Sequence, residues 1–584
     1  MPKEWVIATH WGGRDRLASL LGVSPVIAQI LHNREIGDAE AARQFLNPQL
    51  SGLLPPEAIA NCTTAAERVH DAVRRGVKIV IFGDYDVDGV TGVSILWHCL
   101  RLAKADVDFY IPHRLEEGYG ISPEAIDAIA DDGAGLIVSV DCGVTAVEPA
   151  RRARERGVEL IITDHHQPDT DASGVPTLPE AMLVHPGITP PGGEAYPNPD
   201  LSGAGVALKL AWAIAQQFSA AQKVSAEFRD FLVDAMGLAA LGIVADVVPL
   251  VGENRIIAKH GLAGLPHSRL PGVQALIHTS GLAGKKLDGF DIGFRLAPRL
   301  NAIGRMGHAR LAVELLTRAD PSEAVRIAAN LERQNRARQT MERKITAEAR
   351  AMVREQGQDG DAVRAIVLAS EGWHAGVIGI VASRITDEFG RPTVMIALEN
   401  GVGQGSARSI RNFPLHVALR DCREHLITFG GHAMAAGLRI EADKVDAFRR
   451  AFQARAGQML TDGDLRPKLR IDDVVALTEL DETLVRDLDR LEPFGAGNRA
   501  PRLATEVLQV AGEPRTVGKS GDHLQVTLSD GRLQRKGIAF GQAKYRVQLL
   551  DRRRCRVAFQ PIINEWQGRR SVELQILDFQ FPDE

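Results

Sequence analysis

The stretch VELIITDHH occupies residues 158–166 and ends in an acid followed by two histidines, Asp164-His165-His166. The apolar run before the triplet is typical of a buried strand. A carboxylate and two imidazoles at the tip of such a strand are poor core material, because each needs a polar partner, but they are good ligands for a divalent cation. By itself the triplet leaves two interpretations open, a metal site and an ordinary polar loop.

The stretch lies within a longer alternation of apolar runs and helical segments, from about residue 77 to 250. Helix-like segments such as 92–102 and 123–130 separate five runs that resemble buried strands. These runs are 77–82, 107–111, 136–140, 160–163 and 182–184. The alternation predicts right-handed βαβ units and a parallel sheet covered by helices on both faces. Ligands of such sheets bind outside the carboxyl ends of the strands.

Acidic residues follow three of these strands and therefore share one edge of the predicted sheet. Asp84, Asp86 and Asp88 follow the first strand, and Asp141 follows the third. The DYDVDG stretch at 84–89 begins like an EF-hand loop, but position 12 of that loop would be Ile95, where a bidentate glutamate is required. A strand end that turns into a helix is the better interpretation, with a charged turn exposed to water as the alternative. Crowded carboxylates repel one another unless a cation neutralises them.

One more carboxylate, Asp246, lies in the otherwise apolar stretch 242–249. Burying it there would cost several kcal/mol unless it were paired or bound to a metal. Mixed Asp and His ligands without thiolates suit Mn²⁺ or Mg²⁺ better than structural zinc. The ligands suffice for two ions that share a carboxylate, a pair that activates water and stabilises the leaving oxygen in phosphoester hydrolysis.

Composition limits the class of protein. A chain of 584 residues is expected to form several domains, and 24% charged with 45% hydrophobic residues is ordinary for a soluble globular protein. Five dispersed cysteines without a CxxC pair argue against a disulfide scaffold and a zinc knuckle. No secretory signal and no bilayer-spanning apolar run are visible, so we expect a cytoplasmic protein without a membrane partner. The net charge of -5 argues against a globally cationic nucleic-acid binder but leaves local grooves open.

The rest of the chain divides by pattern. Residues 1–76 are mostly helical, and 321–356 form a long helical pattern rich in basic residues: Arg333, Arg336, Arg338, Arg343, Lys344, Arg350 and Arg354. That helix is either a solvated connection or a surface that faces nucleic acid. A second α/β pattern runs to about 460, with strands at 365–368 and 393–397. Short strands at 525–528, 536–540, 556–559 and 571–576 then indicate a small all-β barrel.

Four segments offer groups that bind anions. Arg114 follows the second predicted strand, and 298–305 (PRLNAIGR) is a polar, turn-rich stretch. Residues 403–409 (GQGSARS) offer flexible backbone N–H groups, hydroxyls and a guanidinium, a combination that binds phosphate. Residues 430–437 (GGHAMAAG) are predicted to be a glycine-rich turn that opens a helix. Taken singly, each segment is equally compatible with an ordinary loop.

In this order the motifs resemble the DHH phosphoesterase superfamily, and 430–437 is similar to the DHHA1 domain of one branch. The resemblance extends to the segments FGDYDVDG at 82–89, SVDCG at 139–143, TDHH at 163–166, GIVADVVPL at 242–250, PRLNAIGR at 298–305, GWHAGVIGIVASR at 372–384, GSARS at 405–409 and PFGAGN at 493–498. Together they are similar to the bacterial exonucleases of this superfamily that degrade single-stranded DNA. That activity is metal-dependent, runs in the 5′→3′ direction, releases mononucleotides and serves DNA repair and recombination.

The resemblance implies an α/β fold in several domains: an N-terminal helical segment (1–76), a parallel-sheet DHH domain (77–320), a connecting helix (321–357), an α/β DHHA1 domain (358–462) and a C-terminal all-β OB-fold (463–584). These domains would close around a single strand of DNA. The implied partners are single-stranded DNA and, as candidates, a single-strand-binding protein and a helicase, with the enzyme itself a monomer.

The resemblance also implies roles for individual residues. Two Mn²⁺ or Mg²⁺ ions would be held by Asp84, Asp86, Asp88, Asp141, His165 and Asp246. Asp141 is the candidate bridge, and His166 would support the site or the scissile phosphate. DNA phosphates would be bound by Arg114, Arg305, Ser406, Arg408 and His432. Many superfamily members carry a histidine four residues before the first ligand aspartate, but here that position relative to Asp86 is Phe82. The division of ligand roles between Asp84 and Asp86 is therefore open, as is the role of Asp164.

Other functions remain as alternatives. A small-substrate phosphoesterase, such as a pyrophosphatase, an oligoribonuclease or a cyclic-dinucleotide hydrolase, would share the metal centre, but such relatives are generally shorter and lack the barrel. A non-catalytic replication scaffold would have lost several ligands, whereas the Asp/His set here is intact. In the barrel, Phe540, Tyr545 and the basic run 552–554 are candidates for strand contact, core or plain surface.

Overall fold

The computed structural model describes residues 3–113, 117, 120–171, 174–306, 309–566 and 568–582, without the side chains of Arg305, Met306 and Trp566. The chain forms two compact units. The smaller comprises Met1–Val6 and Arg333–Arg470, and the larger comprises Ile7–Glu332 and Ile471–Glu584. Among the described residues, no helix combines the length and the apolar character that crossing a membrane requires.

A five-stranded parallel sheet forms the centre of the larger unit, in the order β3-β2-β4-β5-β6. Its strands are β2 (Ile79–Gly83), β3 (Val107–Tyr110), β4 (Leu136–Val140), β5 (Glu159–Thr163) and β6 (Met182–Val184). The predicted parallel sheet is confirmed, and each predicted strand agrees within two residues. Every residue of β2 and β4 is buried, as expected for central strands with helices on both faces.

Helices surround this sheet and continue beyond it. They are α4 (Cys62–Arg74), α5 (Val87–Leu102), α6 (Pro123–Asp131), α7 (Val147–Glu155), α8 (Gly203–Ser219), α9 (Ala226–Ala245), α10 (Gly252–Gly264), α11 (Pro271–Thr279), α12 (Gly289–Asp291), α13 (Ala297–Met306), α14 (Arg310–Thr317) and α15 (Pro321–Glu355). A π-helical turn, Ile292–Leu296, joins α12 to α13.

Two expectations about these helices need correction. Helix α5 begins at Val87 rather than at residue 92, because Asp86 caps it. The stretch 298–305, expected to be rich in turns, lies within α13.

The N-terminal segment contributes to two cores. It contains β1 (Glu4–Ile7), α1 (Arg14–Leu21), α2 (Pro25–Asn33) and α3 (Ala39–Leu46) before α4. Apolar residues of α1 to α3 share one core with the C-terminal barrel, whereas those of α4 pack under the parallel sheet. The mostly helical character predicted for this segment is thus observed, but its two parts stabilise different domains.

The C-terminal section is the all-β barrel that the turn spacing predicts. Before it, β12 (Lys468–Ile471) pairs with β1 in a separate two-stranded sheet. The elements of the C-terminal section are β13 (Asp473–Val474), α19 (Glu482–Asp489), β14 (Leu503–Ala504), β15 (Leu508–Val517), β16 (His523–Ser529), β17 (Gln534–Ala539), α20 (Arg546–Arg552), β18 (Arg554–Trp566) and β19 (Arg569–Gln580). Strands β15 to β19 close on themselves, because β18 pairs with both β15 and β19 while β17 pairs with β16 and β19. Five strands closed in this way match an OB-fold.

The smaller unit holds a second sheet in the order β10-β11-β9-β8-β7, in which only the β7–β8 pair is parallel. Its elements are β7 (Ile366–Ser370), α16 (Ala375–Phe389), β8 (Thr393–Glu399), β9 (Val402–Arg408), α17 (Leu415–Asp421), β10 (Thr428–Gly431), β11 (Ala435–Glu441) and α18 (Val445–Met459). The smaller unit also contains the C-terminal two-thirds of α15. Arg338, which the basic pattern placed on a solvated or DNA-facing surface, is buried there and pairs with Glu342 at 2.8 Å.

Two expectations for this unit are wrong. The glycine-rich stretch 430–437 opens no helix, because it forms the hairpin of β10 and β11, in which Gly430 pairs with Gly437. Residues 402–408 are strand β9 rather than a flexible loop, so most of their backbone N–H groups take part in the sheet ladder. Glycine and alanine are both disfavoured in strands by local preference, and here pairing with the neighbouring strands overrides that preference.

Candidate metal centre

Three aspartates follow β2, and each is held in a different way. Asp84 lies directly after the strand and is buried. Asp86 caps α5: its Oδ1 accepts the backbone N–H of Asp88 at 2.8 Å and that of Gly89 at 3.2 Å. This capping turns the chain sharply from the sheet edge into the helix. The turn keeps the carboxylates of Asp84 and Asp86 at the carboxyl end of β2.

Asp88 connects α5 to the start of α8. Its Oδ2 accepts the N–H of Gly203 at 2.6 Å and its Oδ1 accepts the N–H of Ala204 at 3.0 Å. Both oxygens of this buried carboxylate therefore bind the N-terminus of a helix, where free N–H groups and the helix dipole favour a negative charge. This interaction fixes the distance between α5 and α8 beside the other acids.

Asp141 follows β4 with a backbone φ of 63° and is 1% exposed. Left-handed backbone at a non-glycine residue is uncommon and clusters at functional sites. Its Oδ1 lies 3.1 Å from Nε2 of His165, which follows β5. Both atoms are buried, and neither has a hydrogen-bond partner among the described residues.

Asp164 braces the two histidines. Its Oδ1 accepts the backbone N–H groups of His165 (2.7 Å) and His166 (3.1 Å) and lies 2.8 Å from Nδ1 of His166. Its Oδ2 accepts the N–H of Val144 at 2.8 Å. Burial by itself would raise the pKa of Asp164, but the hydrogen bonds, above all that of the His166 ring, lower it to about 2. The same contact raises the pKa of His166 to about 9, although burial opposes it.

His185 is a residue that the sequence argument missed. It follows β6, is 3% exposed, and accepts the N–H of Gly187 at its Nδ1, 3.0 Å away. Its Nε2 therefore carries the proton and donates to the carbonyl of His166 at 2.8 Å. The available signal was its position: like the triplet, it directly follows a strand of the parallel sheet.

Asp246 brings a carboxylate from the far end of α9, where it is the C-cap residue. Its Oδ2 lies 3.6 Å from Nε2 of His165, and its side chain is 26% exposed, so it is less buried than the apolar sequence around it suggested. Phe82, at the position where many superfamily members carry histidine, is fully buried and stacks on Tyr110 with ring centroids 5.5 Å apart. It is a core residue here.

These side chains form overlapping groups with the spacing of metal ligands. One group contains Asp84, Asp86 and Asp141; the others are Asp141, His165 and His166, and Asp88, His165 and Asp246. Asp141 and His165 each belong to two groups. All the residues predicted to act at the metal site are therefore assembled at one edge of the sheet, and Asp141 lies between Asp84 and Asp86 on one side and the histidines on the other.

The electrostatics of this cluster favour a cation. Burial raises the pKa of Asp141 well above its usual range, and the carboxylates of Asp88 and Asp86 raise it further. Burial and the same two carboxylates raise the pKa of Asp246 to about 8. Each carboxylate thus makes its neighbours harder to ionise, a repulsion that a bound divalent cation would relieve.

Glycines make the close approach of these acids possible. A Cβ at Gly203 would lie 2.5 Å from Oδ1 of Asp141, and one at Gly242 would lie 2.3 Å from Oδ1 of Asp88. A Cβ at Gly89 would lie 2.6 Å from the carbonyl oxygen of Asp84. No side chain larger than hydrogen fits at these three positions without displacing a carboxylate or the loop that carries it. Sequence reasoning missed Gly203, which adjoins no acidic motif, and it noted the stretch that begins at Gly242 only for Asp246.

The predicted anion-binding residues fall in both units, and the structure does not describe all of them. Arg114 lies outside the described residues, and the side chain of Arg305 does as well, although its backbone is part of α13. Helix α13 packs against the loop that carries Asp84 and Asp86, since a Cβ at Gly304 would lie 2.8 Å from the carbonyl oxygen of Tyr85. Ser406, Arg408 and His432 belong to the smaller unit.

Ser406 and Arg408 form a small polar site on β9. Nη1 of Arg408 donates to Oγ of Ser406 at 3.2 Å, and both side chains pack over Gly379 of α16. Arg408 is half-buried, burial lowers its pKa, and within the described part of the chain it has no carboxylate within ion-pair distance. The exposed His432 lies on the hairpin that follows β10, and the hairpin residue Ala435 pairs with Arg408. A half-buried guanidinium beside a hydroxyl suits a phosphate group.

Two features of the cluster fit divalent cations. Two ligand atoms that are bound at right angles, each about 2.1 Å from the same ion, lie about 3 Å apart. Oδ1 of Asp141 and Nε2 of His165 face each other at 3.1 Å, with no hydrogen bond recorded for either atom among the described residues. The donor set of carboxylates and imidazole, without thiolate, suits Mn²⁺ or Mg²⁺ better than zinc.

Three protein-family models match the chain. The DHH family, N-terminal domain, matches residues 78–243, the DHHA1 domain matches 362–458, and the RecJ OB domain matches 471–578. These matches confirm the resemblance that the motifs indicated, including the order of the domains.

Similar proteins have been described. The chain is 38% identical over 571 residues to the single-stranded-DNA-specific exonuclease RecJ of Bacillus subtilis, covering 97% of this chain and 69% of that protein. It is 35% identical over 542 residues to the protein of the same name from Thermus thermophilus, covering 93% of this chain and 73% of that one. The crystal structure of Thermus thermophilus RecJ in complex with Mn²⁺ superimposes with a TM-score of 0.83 at 30% identity, covering 100% of this chain and 80% of that one.

Proposed function

Because this chain belongs to the RecJ family of DHH phosphoesterases, we propose that it is a metal-dependent exonuclease that degrades single-stranded DNA in the 5′→3′ direction to mononucleotides. The observation that carries the proposal is the buried Asp141, placed between two groups of potential ligands on a sheet edge. The enzyme would act in DNA repair and recombination.

Two ions, Mn²⁺ or Mg²⁺, would be held at this edge. Asp84, Asp86 and Asp141 would hold one ion, and Asp141, His165 and Asp246 would hold the other, with Asp141 shared. When bound, such a pair activates water for attack on a phosphodiester and stabilises the leaving oxygen. The Mn²⁺ complex of the Thermus thermophilus relative supports this choice of metal.

The remaining polar residues of the cluster would position these ligands. Asp88, predicted to be a ligand, belongs to the group with His165 and Asp246. Because each of its oxygens also accepts a helix N–H group, we propose that it anchors α8 beside Asp141 as well. Asp164 and His185 hold the DHH triplet through the ring and the carbonyl of His166. His166, whose side chain is more exposed than that of His165, would contact the scissile phosphate as a hydrogen-bond donor.

The predicted anion-binding residues would bind the DNA backbone. Ser406, Arg408 and His432 would contact phosphates, including the 5′-terminal one, as would Arg114 and Arg305. The proposed domain limits are 77–320, 358–462 and 463–584, with 321–357 as the connecting helix, and the three family models match within them. We further propose a monomeric, cytoplasmic enzyme that works with a single-strand-binding protein and a helicase.

The deciding experiment is digestion of end-labelled single-stranded and duplex DNA with Mn²⁺ or Mg²⁺. We expect mononucleotides to be released from the 5′ end of single strands, with little digestion of blunt duplexes and none in EDTA. Hydrolysis of pyrophosphate or dinucleotides without degradation of long strands would instead support the small-substrate alternative.

Arg408→Ala is expected to reduce the preference for a 5′-phosphorylated strand by about 10- to 100-fold, because a hydrogen bond to a charged group contributes about 1.5–3 kcal/mol. Arg305→Ala should act in the same direction. The measurement is strand affinity with and without the 5′ phosphate, alongside Mn²⁺ affinity, which should not change. Arg450→Ala, which removes an exposed guanidinium from α18, is the matched control. Loss of Mn²⁺ binding in Arg408→Ala would contradict the assignment.

A further inference from the structure

Asn254 lies in the first turn of α10, and its side chain is fully buried. A buried side-chain amide needs partners for its polar atoms, because each unpaired donor or acceptor costs free energy. Nδ2 of Asn254 donates to the carbonyl oxygen of Asp200 at 2.8 Å and to that of Pro249 at 3.1 Å. Its Oδ1 accepts a hydrogen bond from Nδ2 of Asn198 at 3.0 Å. Because carbonyl oxygens can only accept, these partners fix the orientation of the amide.

One of these hydrogen bonds holds the loop that follows the proposed ligand Asp246. Pro249 comes three residues after Asp246, and between them Val247 has a backbone φ of 63°. Left-handed backbone is strongly disfavoured for a β-branched residue, and it persists only where surrounding contacts enforce it. The hydrogen bond from Asn254 to the carbonyl of Pro249 is one such contact, so the amide helps to fix the course of the chain directly after Asp246.

The other hydrogen bond holds the loop that leads into α8. Asp200 comes three residues before Gly203, whose N–H donates to Asp88 at 2.6 Å. A Cβ at Gly203 would lie 2.5 Å from Oδ1 of Asp141, so the start of α8 is in close contact with two carboxylates of the metal centre. A shift of Asp200 would therefore disturb both Asp88 and Asp141.

The amide of Asn254 thus connects two loops that both adjoin the metal centre. In the sequence, Asp200 lies 54 positions from Asn254 and Pro249 lies 5 positions from it. An apolar side chain at 254 would leave both carbonyl oxygens without this donor. Aspartate has the same shape as asparagine but offers at most one donor for the two carbonyls. Among side chains of this size, asparagine is therefore the one that satisfies all three partners.

We propose that Asn254 is a positioning residue for the metal centre, because its amide sets the separation between the loop after Asp246 and the start of α8. The proposal rests on the proposed function and adds to it a residue that acts on the metal ligands through the backbone. Loss of a group that orients metal ligands from outside typically lowers metal affinity or activity about 10- to 100-fold.

The test is Asn254→Asp, measured by Mn²⁺ titration calorimetry, by thermal unfolding and by mononucleotide release from a 5′-phosphorylated single strand. We expect Mn²⁺ affinity to fall about 10- to 100-fold, and activity at a limiting Mn²⁺ concentration to fall in parallel.

A second variant, Asn198→Ala, removes only the donor to Oδ1 of Asn254 and leaves both carbonyl contacts in place. It should lower Mn²⁺ affinity less than Asn254→Asp does. The double variant Asn198→Ala/Asn254→Asp should bind Mn²⁺ no more weakly than Asn254→Asp alone, because both changes act through the same amide. Additive losses in the double variant would contradict the proposal.

Gln29→Glu is the matched control, since it exchanges an amide for a carboxylate at a fully buried residue of α2. Nε2 of Gln29 donates to the carbonyl of Thr9 at 3.1 Å, and its Oε1 accepts the N–H of Trp11 at 2.8 Å. Helix α2 packs in the core of the barrel rather than under the parallel sheet. Gln29→Glu should therefore lower thermal stability and leave Mn²⁺ affinity unchanged.

Unchanged Mn²⁺ affinity in folded Asn254→Asp would overturn the proposal. An equal loss of Mn²⁺ affinity in Gln29→Glu would also overturn it, because such a loss would indicate general destabilisation. If the unmodified protein bound no Mn²⁺ at all, the proposed function itself would fail.

Discussion

Asp141→Ala is expected to lower exonuclease activity by at least about 10³-fold, because it removes the carboxylate that both proposed metal sites share. A metal ion contributes several kcal/mol to stabilising charge in the transition state, and each 1.36 kcal/mol corresponds to a tenfold change in rate. The substitution also removes the buried oxygen that faces His165 at 3.1 Å. Activity is measured as mononucleotide release from a 5′-phosphorylated single strand, and Mn²⁺ binding by calorimetry should lose at least one site.

Asp164→Asn provides the matched comparison for this prediction. Asparagine preserves the shape of the side chain but weakens the hydrogen bonds that orient the DHH triplet. Loss of a residue that supports metal ligands typically costs about 10- to 100-fold. The informative result is the order of the two losses of activity. If Asp164→Asn lowered activity as much as Asp141→Ala, the special role of Asp141 would be contradicted. If Asp141→Ala still bound two Mn²⁺ ions, Asp141 could not be the shared ligand.

Gly203→Ala is expected to lower activity by about 10²-fold, although it changes neither a ligand nor a charge. The added Cβ would lie 2.5 Å from Oδ1 of Asp141, so either the carboxylate or the first turn of α8 must move. A displacement of about 1 Å in a catalytic site costs on the order of 10²-fold in rate. Because the N–H of Gly203 also donates to Asp88, movement of the helix would disturb two carboxylates together.

The measurements for Gly203→Ala are activity, Mn²⁺ affinity and thermal unfolding. We expect weaker Mn²⁺ binding and a destabilisation of about 1–3 kcal/mol, as is usual when a tightly packed site is overfilled. Gly264→Ala, at the open end of α10, adds the same methyl group where nothing lies within 4 Å and should be neutral. Full activity in Gly203→Ala would show that Asp141 does not occupy this position in the working enzyme.

Local pattern was sufficient for the parts of the fold that depend on local physics. The parallel strands were predictable, since runs buried on both faces must be continuously apolar. The long helix was predictable, since it contains no glycine and no proline after its first residue, Pro321. Local pattern failed where small residues dominate. The 430–437 hairpin is predicted as a helix start because its alanines and methionine favour a helix locally, but pairing of β11 with β9 and β10 overrides that preference.

The sequence by itself determined which residues stand at the strand ends, and so which carboxylates and imidazoles meet at one edge of the sheet, because parallel strands place all their carboxyl ends on the same side. Only the tertiary structure decided which backbone groups hold these side chains and which positions leave room for them. Asp88 accepts N–H groups from residues 115 and 116 positions away, and the glycines that admit the carboxylates lie on α8 and α9. Contacts of such separation arise from helix packing, which no local pattern of residues encodes.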